Sequence, residues 1–351
     1  MREVFLMSRN LCVAAVAVAL GLSGAAQADV GVKGVVDLSI NSSDNGAPDG
    51  DGLGLHSNKT RFRVYGDEEF GNGVKAIWQI ETQLDFDTGV QSNGTDNFGI
   101  KARNTFLGLE GVFGAVLAGK YDSPYKQSTA KLDIFSNSPS DYNAVIGENE
   151  GSTNDHDTRA ANTLFYRTPE LGGFQGMVAY IFDETRDGVD DDGYSIGATF
   201  KIAGLYLGAG YESFNQQGAG GDDDTAVKLG GSYTFADVTK VGLVWESLDG
   251  GGKGNDRDAW YLNVSQRLGT WTLKAAYGML DDLGGTASSG AEHYALGVWK
   301  ELSANTDLYL TYAMTSNDRN ASYGLDQLKA GPAGADVSVI AFGLKHALAS
   351  K

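Results

Sequence analysis

The sequence predicts an all-β chain: about sixteen antiparallel strands, joined up-and-down and closed into a barrel that crosses a membrane. Three observations predict it. Apolar and polar residues alternate with period two along most of the chain. Seven short connections alternate with eight long polar ones, the arrangement of a transmembrane barrel with short turns at one end and long loops at the other. Finally, charges fall in mid-strand on the polar face (Arg61, Arg63, Arg103, Lys228, Lys274). A dry sandwich core would not accept them unpaired, whereas a water-filled lumen does.

The elements follow in order. From Val30 to Asn41, Val32, Val36, Leu38 and Ile40 share one face and Lys33, Asp37, Ser39 and Asn41 the other. Ser42–Asn58, rich in Gly, Asp and Ser, reads as a loop. Thr60–Phe70 and Val74–Leu84 resume the alternation around Gly71-Asn72-Gly73, and Asn-Gly between two such runs is the strongest short hairpin signal. The unit then recurs. Long polar stretches at Asp85–Lys101, Asp122–Thr158, Asp183–Asp192, Asn215–Asp224, Asp249–Asp256, Asp281–Gly290 and Asn317–Ala335 separate strand pairs, and Asp336–Leu348 is the last strand. Each strand offers about ten residues, enough for a tilted crossing of the bilayer core. An even number lets the first and last strands pair, leaving no free edge. Aromatic residues gather near strand ends (Trp78, Phe214, Tyr233, Phe235, Trp245, Trp260, Trp271, Trp299), as an interfacial girdle requires.

The first residues read as an address. Arg2 and Arg9 precede the apolar run Leu11–Leu22, and Ala26-Gln27-Ala28 offers a small-x-small cleavage site before Asp29, so residues 1–28 read as a secretory signal peptide. Twelve apolar residues are too few for a spanning helix. The remainder is 323 residues with 25 basic and 44 acidic side chains, a net charge of −19. The single cysteine, Cys12, leaves with the leader, so no disulfide holds the exported chain. Such acidity argues against a nucleic-acid partner, which needs a basic face. Glycine is abundant (49) and proline scarce (5), which suits many strands and tight turns.

Several stretches together carry a family resemblance. They are Val32-Lys33-Gly34-Val35-Val36-Asp37, then RFRVYGDEEFGNGVKAIWQIE from Arg61 to Glu81, NTFLGLEGVFGAVLAGK from Asn104 to Lys120, RAANTLFYRT from Arg159 to Thr168, and Phe342-Gly343-Leu344-Lys345-His346. The chain resembles the general Gram-negative porins over its whole exported length. The resemblance implies a sixteen-stranded barrel, a homotrimer in the outer membrane, and passive passage of small hydrophilic solutes and ions. It also implies that the third loop, here Asp122–Thr158, folds into the lumen and narrows it. One departure concerns the end: the family usually closes on an aromatic residue, and here Leu348 stands about where it belongs, with Ala349-Ser350-Lys351 following.

Period two assigns faces. If Phe62 and Val64 point outward, Arg61 and Arg63 face the lumen. With Phe106 outward, Arg103 faces inward; with Phe113, Ala115 and Leu117 outward, so does Lys120; with Leu164 and Tyr166 outward, Arg159 and Arg167 do too. The resemblance places Arg61, Arg103 and Arg159 in a basic cluster opposite the third loop, whose acids Asp133, Asp141 and Glu148 are the candidates for the facing wall. Opposed charges in a narrow, low-dielectric passage focus a transverse field and confer selectivity. Six wall bases face a loop of net −5, close to balance, so the acidic outer loops decide the sign and weak cation preference is expected. Their reach is about 8 Å at physiological ionic strength and roughly 30 Å at 0.01 M.

Other readings are weaker. The histidines His56, His156, His293 and His346 share no metal-ligand spacing, and no cofactor, metal or catalytic residue is expected. Gly193-Tyr194-Ser195-Ile196-Gly197 matches G-x-S-x-G but opens an alternating strand rather than a strand-to-helix turn. A phospholipase-type barrel is thus an unfavoured alternative, and a substrate-specific channel would need an aromatic slide or a longer arginine ladder. Asp190-Asp191-Asp192 and Asp222-Asp223-Asp224 read as a solvated acidic rim that could meet lipopolysaccharide phosphates through divalent ions.

Overall fold

A computed structural model describes residues 28–87, 99–147, 156–184, 192–215, 222–251, 254, 256–326 and 328–349. The strands are β1 (Ala28–Asp44), β2 (Gly52–Ser57), β3 (Arg61–Gly71), β4 (Val74–Asp85), β5 (Gly99–Ala102), β6 (Thr105–Gly111), β7 (Gly114–Asp122), β8 (Arg159–Arg167) and β9 (Phe174–Ile181). They continue as β10 (Gly193–Ile202), β11 (Leu205–Phe214), β12 (Asp224–Phe235), β13 (Thr239–Asp249), β14 (Arg257–Leu268), β15 (Trp271–Leu280), β16 (Ala291–Ser303), β17 (Thr306–Asn317) and β18 (Val337–Ala349). β2 and β3 run end to end along β1, and β5 and β6 run end to end along β4. The eighteen segments therefore make sixteen antiparallel staves. β1 pairs with β18 from Lys33↔Ala349 to Asp44↔Ser338, which closes the wall.

Alternation sorts the side chains. Leu207, Leu229, Leu243, Leu262, Leu296, Leu310 and Phe342 stand exposed on the outer surface, while neighbours such as Tyr206, Lys228, Val244, Tyr261, Ala295, Tyr309 and Ala341 are buried inside. This apolar outside is what lipid requires, and closure satisfies the backbone. At the tight end, Asn72 and Gly73 both take positive φ (53° and 73°), the geometry that lets a two-residue turn follow the strand twist.

The wall departs from strict counting in several places. Ser42–Asn58 is not all loop: β1 runs on to Asp44 and Gly52–Ser57 pairs back on it. Phe106 points inward, packing edge-on against Tyr121 at 5.1 Å, and Ala115 and Leu117 are buried inside with Phe165. The cause is a break at Arg103–Asn104, between β5 and β6, and a register shift at Gly119/Tyr121. A one-residue slip moves every later side chain to the other face. Phe214 and Trp299, read as girdle residues, also lie inside: Phe214 packs on His156 and Trp299 stacks on Tyr309 at 5.7 Å.

The third loop bridges β7 and β8 through the barrel. It is not structureless: it holds helix α1 (Pro124–Thr129) and two single 3₁₀ turns, Ala130–Leu132 and Tyr142–Ala144. Ser123 caps α1 by accepting from the Lys126 N–H at 3.1 Å, and Pro124 sits where its missing N–H costs nothing. The loop is seated on glycines. A Cβ on Gly208 would lie 1.8 Å from the Ser128 carbonyl oxygen; one on Gly197 would lie 2.4 Å from that of Pro124, and one on Gly278 2.5 Å from Val145. Beyond them, Leu132, Val145 and Ile146 join Tyr261, Val244 and Leu280 in one apolar cluster, while Phe135 and Ala144 join Ala295, Ala313 and Val339 in another. Tyr323 and Leu325 of the last loop pack into the same clusters. The loop therefore packs against the β11–β18 side of the lumen and leaves open space on the side of β3–β8.

Candidate functional site: the constriction cavity

Along that open side lies a cavity of about 410 Å³, lined by Lys59, Arg61, Arg63, Glu81, Arg103 and Arg159 on the wall side and by Asp133, Asn137, Asp141 and Asn143 on the loop side, among others. Register explains the wall. Arg63 faces Glu81 across β3 and β4, and Arg61 faces Gln83, so their side chains project on one face, and the Arg103–Asn104 break brings Arg103 alongside. Both Arg63 and Arg103 bind Glu81: Arg103 Nε donates to Oε1 at 2.8 Å and Arg63 Nε to Oε2 at 2.7 Å. Arg159 donates from Nε to Asn104 at 2.7 Å and pairs through Nη2 with Asp122 at 2.8 Å. Arg61 bonds neutral oxygens, the Lys59 carbonyl at 3.2 Å and Asn137 Oδ1 at 3.3 Å.

On the loop side, Asp141 caps its 3₁₀ turn, accepting N–H groups from Asn143 (3.1 Å) and Asn137 (2.8 Å). Lys59, at positive φ (53°) in the gap between β2 and β3, reaches Asp141 at 3.4 Å and Asp326 of the last loop at 2.9 Å. Burial alone would raise the Asp141 carboxyl; the Lys59 ammonium and the two N–H groups outweigh it and hold it below its usual range. Asp133 lines the cavity half-buried, accepting the Phe135 N–H at 2.9 Å.

Of the residues singled out from sequence, Arg61, Arg63, Arg103, Arg159, Asp133 and Asp141 meet at this cavity. Lys120 and Arg167 are not among its lining. Arg167 pairs with Glu110 at 3.2 Å towards the short-turn end, and Lys120 alternates with the inward Leu117 and Tyr121. Glu148 lies outside the described residues. Sequence reasoning missed Lys59, Glu81 and Lys126. Lys59 shares the odd-numbered parity of Arg61 and Arg63, and Glu81 is the cross-strand partner of Arg63, so both signals were present. Lys228 and Lys274 face inward but do not line this cavity. Lys228 binds Asp157 behind the loop, and Lys274 donates to the Ile134 carbonyl at 2.6 Å with its ammonium 3.6 Å from the Trp299 ring.

A closed barrel of sixteen staves, apolar outside and narrowed from within by its third loop, is a passive channel of the outer membrane. A family model described as Gram-negative porin matches residues 14–320, and the chain belongs to that family, whose members are channels rather than enzymes. It is 30% identical to outer membrane porin protein 32 of Delftia acidovorans, over 97% of this chain and all of the relative. Against the major outer membrane protein P.IB of Neisseria meningitidis serogroup B it is 29% identical, over 55% of this chain and 56% of that one. The solved anion-selective porin from Comamonas acidovorans superposes with a TM-score of 0.78 at 26% identity, covering 92% of this chain and all of that one.

Proposed function

We propose that this channel is weakly charge-selective and that the cavity, rather than the acidic rim, sets the sign. Setting aside Lys126, which is held by Asp157, five cationic side chains (Lys59, Arg61, Arg63, Arg103, Arg159) face four carboxylates (Glu81, Asp122, Asp133, Asp141) around it. The balance favours anions, whereas counting the whole loop leaves the constriction near balance and lets the acidic outer loops set a cation preference. That count included Asp157, which is bound to Lys126 and Lys228 behind the loop. The observation that carries the reading is Arg61, whose hydrogen bonds go to neutral oxygens among the described residues and whose charge is left to the passing solute. The anion-selective description of the Comamonas relative points the same way. In the same reading residues 1–28 are removed on export, three copies pack through their apolar outer surfaces, and the acidic external loops approach lipopolysaccharide phosphates through divalent ions.

Reversal potentials across a salt gradient test it. Anion preference should hold in concentrated salt and weaken in dilute salt, where the acidic exterior reaches further. Replacing Arg61, Arg103 and Arg159 together by glutamine should turn the channel cation-preferring at both strengths. Cation preference of the unmodified channel in concentrated salt would overturn the sign, and an unaltered triple variant would remove these arginines from the path.

A further inference from the structure

Behind the constriction loop lies a second set of charges, which shares only Lys126 and Tyr142 with the lining of the cavity. His156, on the arm that returns the loop to β8, sits between two carboxylates of the wall. Its Nδ1 is 3.3 Å from Glu212 Oε1 on β11 and its Nε2 is 2.9 Å from Asp224 Oδ1 at the start of β12; all three side chains are fully buried. Tyr125 of α1 and Phe214 of β11 flank the ring at 5.9 and 5.5 Å. A neutral imidazole has one N–H and could satisfy one of these carboxylates only, its other nitrogen meeting oxygen lone pairs. Both contacts are favourable together in the imidazolium.

The surroundings ask for the same state. The next residue, Asp157, binds Lys126 of α1 and Lys228 of β12, and accepts from the Tyr142 hydroxyl at 3.1 Å. Glu246 of β13 accepts from the Tyr125 hydroxyl at 2.5 Å and the Gly147 N–H at 2.7 Å. Without His156 the group holds four carboxylates (Asp157, Glu212, Asp224, Glu246) against two ammonium groups (Lys126, Lys228). We propose that His156 is a charged pin that fastens the returning arm of the constriction loop to β11 and β12, and that alkaline deprotonation loosens that arm.

Burial opposes the charge on His156, but the two carboxylate hydrogen bonds prevail and raise it to about 9 from an ordinary 6.5. A group raised on folding stabilises the folded state fully below its unfolded value and loses that contribution as pH climbs through its folded one. The pin therefore holds at neutral pH and fails on the alkaline side. Single-channel records from neutral pH to well above 9 should show a steady current that breaks into brief closures as pH rises. His156→Gln should show the closures already at neutral pH and lose the alkaline transition. An alkaline transition retained in H156Q would overturn the proposal. Should that variant fail to fold, imidazole ¹⁵N shifts of the unaltered protein decide: a His156 signal still cationic at pH 8 supports the pin, and one already neutral there overturns it.

Discussion

At the scale of single residues, the cavity depends on how its cations are held. Arg63 and Arg103 share Glu81, a carboxylate almost without solvent contact, so their forks are aimed before any solute arrives. Glu81→Gln should free both guanidinium groups and deepen anion preference, read as a larger reversal potential of unchanged sign. Its cost in stability should be about 1–3 kcal/mol, since the arginines still reach lumen water; heat-modified mobility on a gel checks this. A second expectation concerns the lipid side. Leu229→Arg should destabilise the barrel by about 2–4 kcal/mol if that position lies near the bilayer midplane, measured by unfolding in bilayers, with conductance kept in the folded fraction. Residue faces were legible from alternation wherever the strand was unbroken: Arg61 and Arg63 follow directly from Phe62 and Val64. They were not legible across irregularities. Lys120 was assigned inward from Leu117, but Leu117 itself is inward, because nothing in the letters of Arg103–Asn104 announces a break in pairing.

At the scale of elements, the informative contrast is between wall and loop. Hairpins declared themselves through Asn72-Gly73 and the alternating flanks, since strand period and turn chemistry are local properties. The loop did not. Its helix has six residues, too few for a hydrophobic period, and its contacts are with distant strands. A signal did exist, in the glycines of β10, β11 and β12. Glycine inside a strand marks close approach of another backbone, and Gly197, Gly208 and Gly210 form the seat of α1. Gly208→Val should lift α1 from the wall towards the open side, lowering conductance in a barrel that still forms. Deleting Lys131–Ile146 should act the other way and raise conductance, since the staves pair with each other and not through the loop. An unchanged current in that deletion would place the segment outside the path.

At the scale of the whole molecule, sixteen staves and closure were readable because each depends on period and turn chemistry, whereas the loop's packing against one side of the lumen was not, because it arises from pairings remote in sequence. The outer apolar surface should support a trimer that survives SDS at room temperature and collapses to a single-chain band on boiling; a single-chain band without heating would count against it. The glycine seat and its anchors also impose an order of events. Tyr125 bonds Glu246 across 121 residues and Lys274 bonds Ile134 across 140, so the loop has no complete berth until β13 and β15 have been laid down. Long closures of this kind come late because their chain entropy must be met before their contacts form. Seating of the loop is thus expected to follow the assembly of β13 and β15, so that the forming barrel is wide before it is narrow. A bacterium that stalls insertion partway would hold an ungated hole in its envelope, and proteolysis of the unseated loop during synchronised assembly would time that interval.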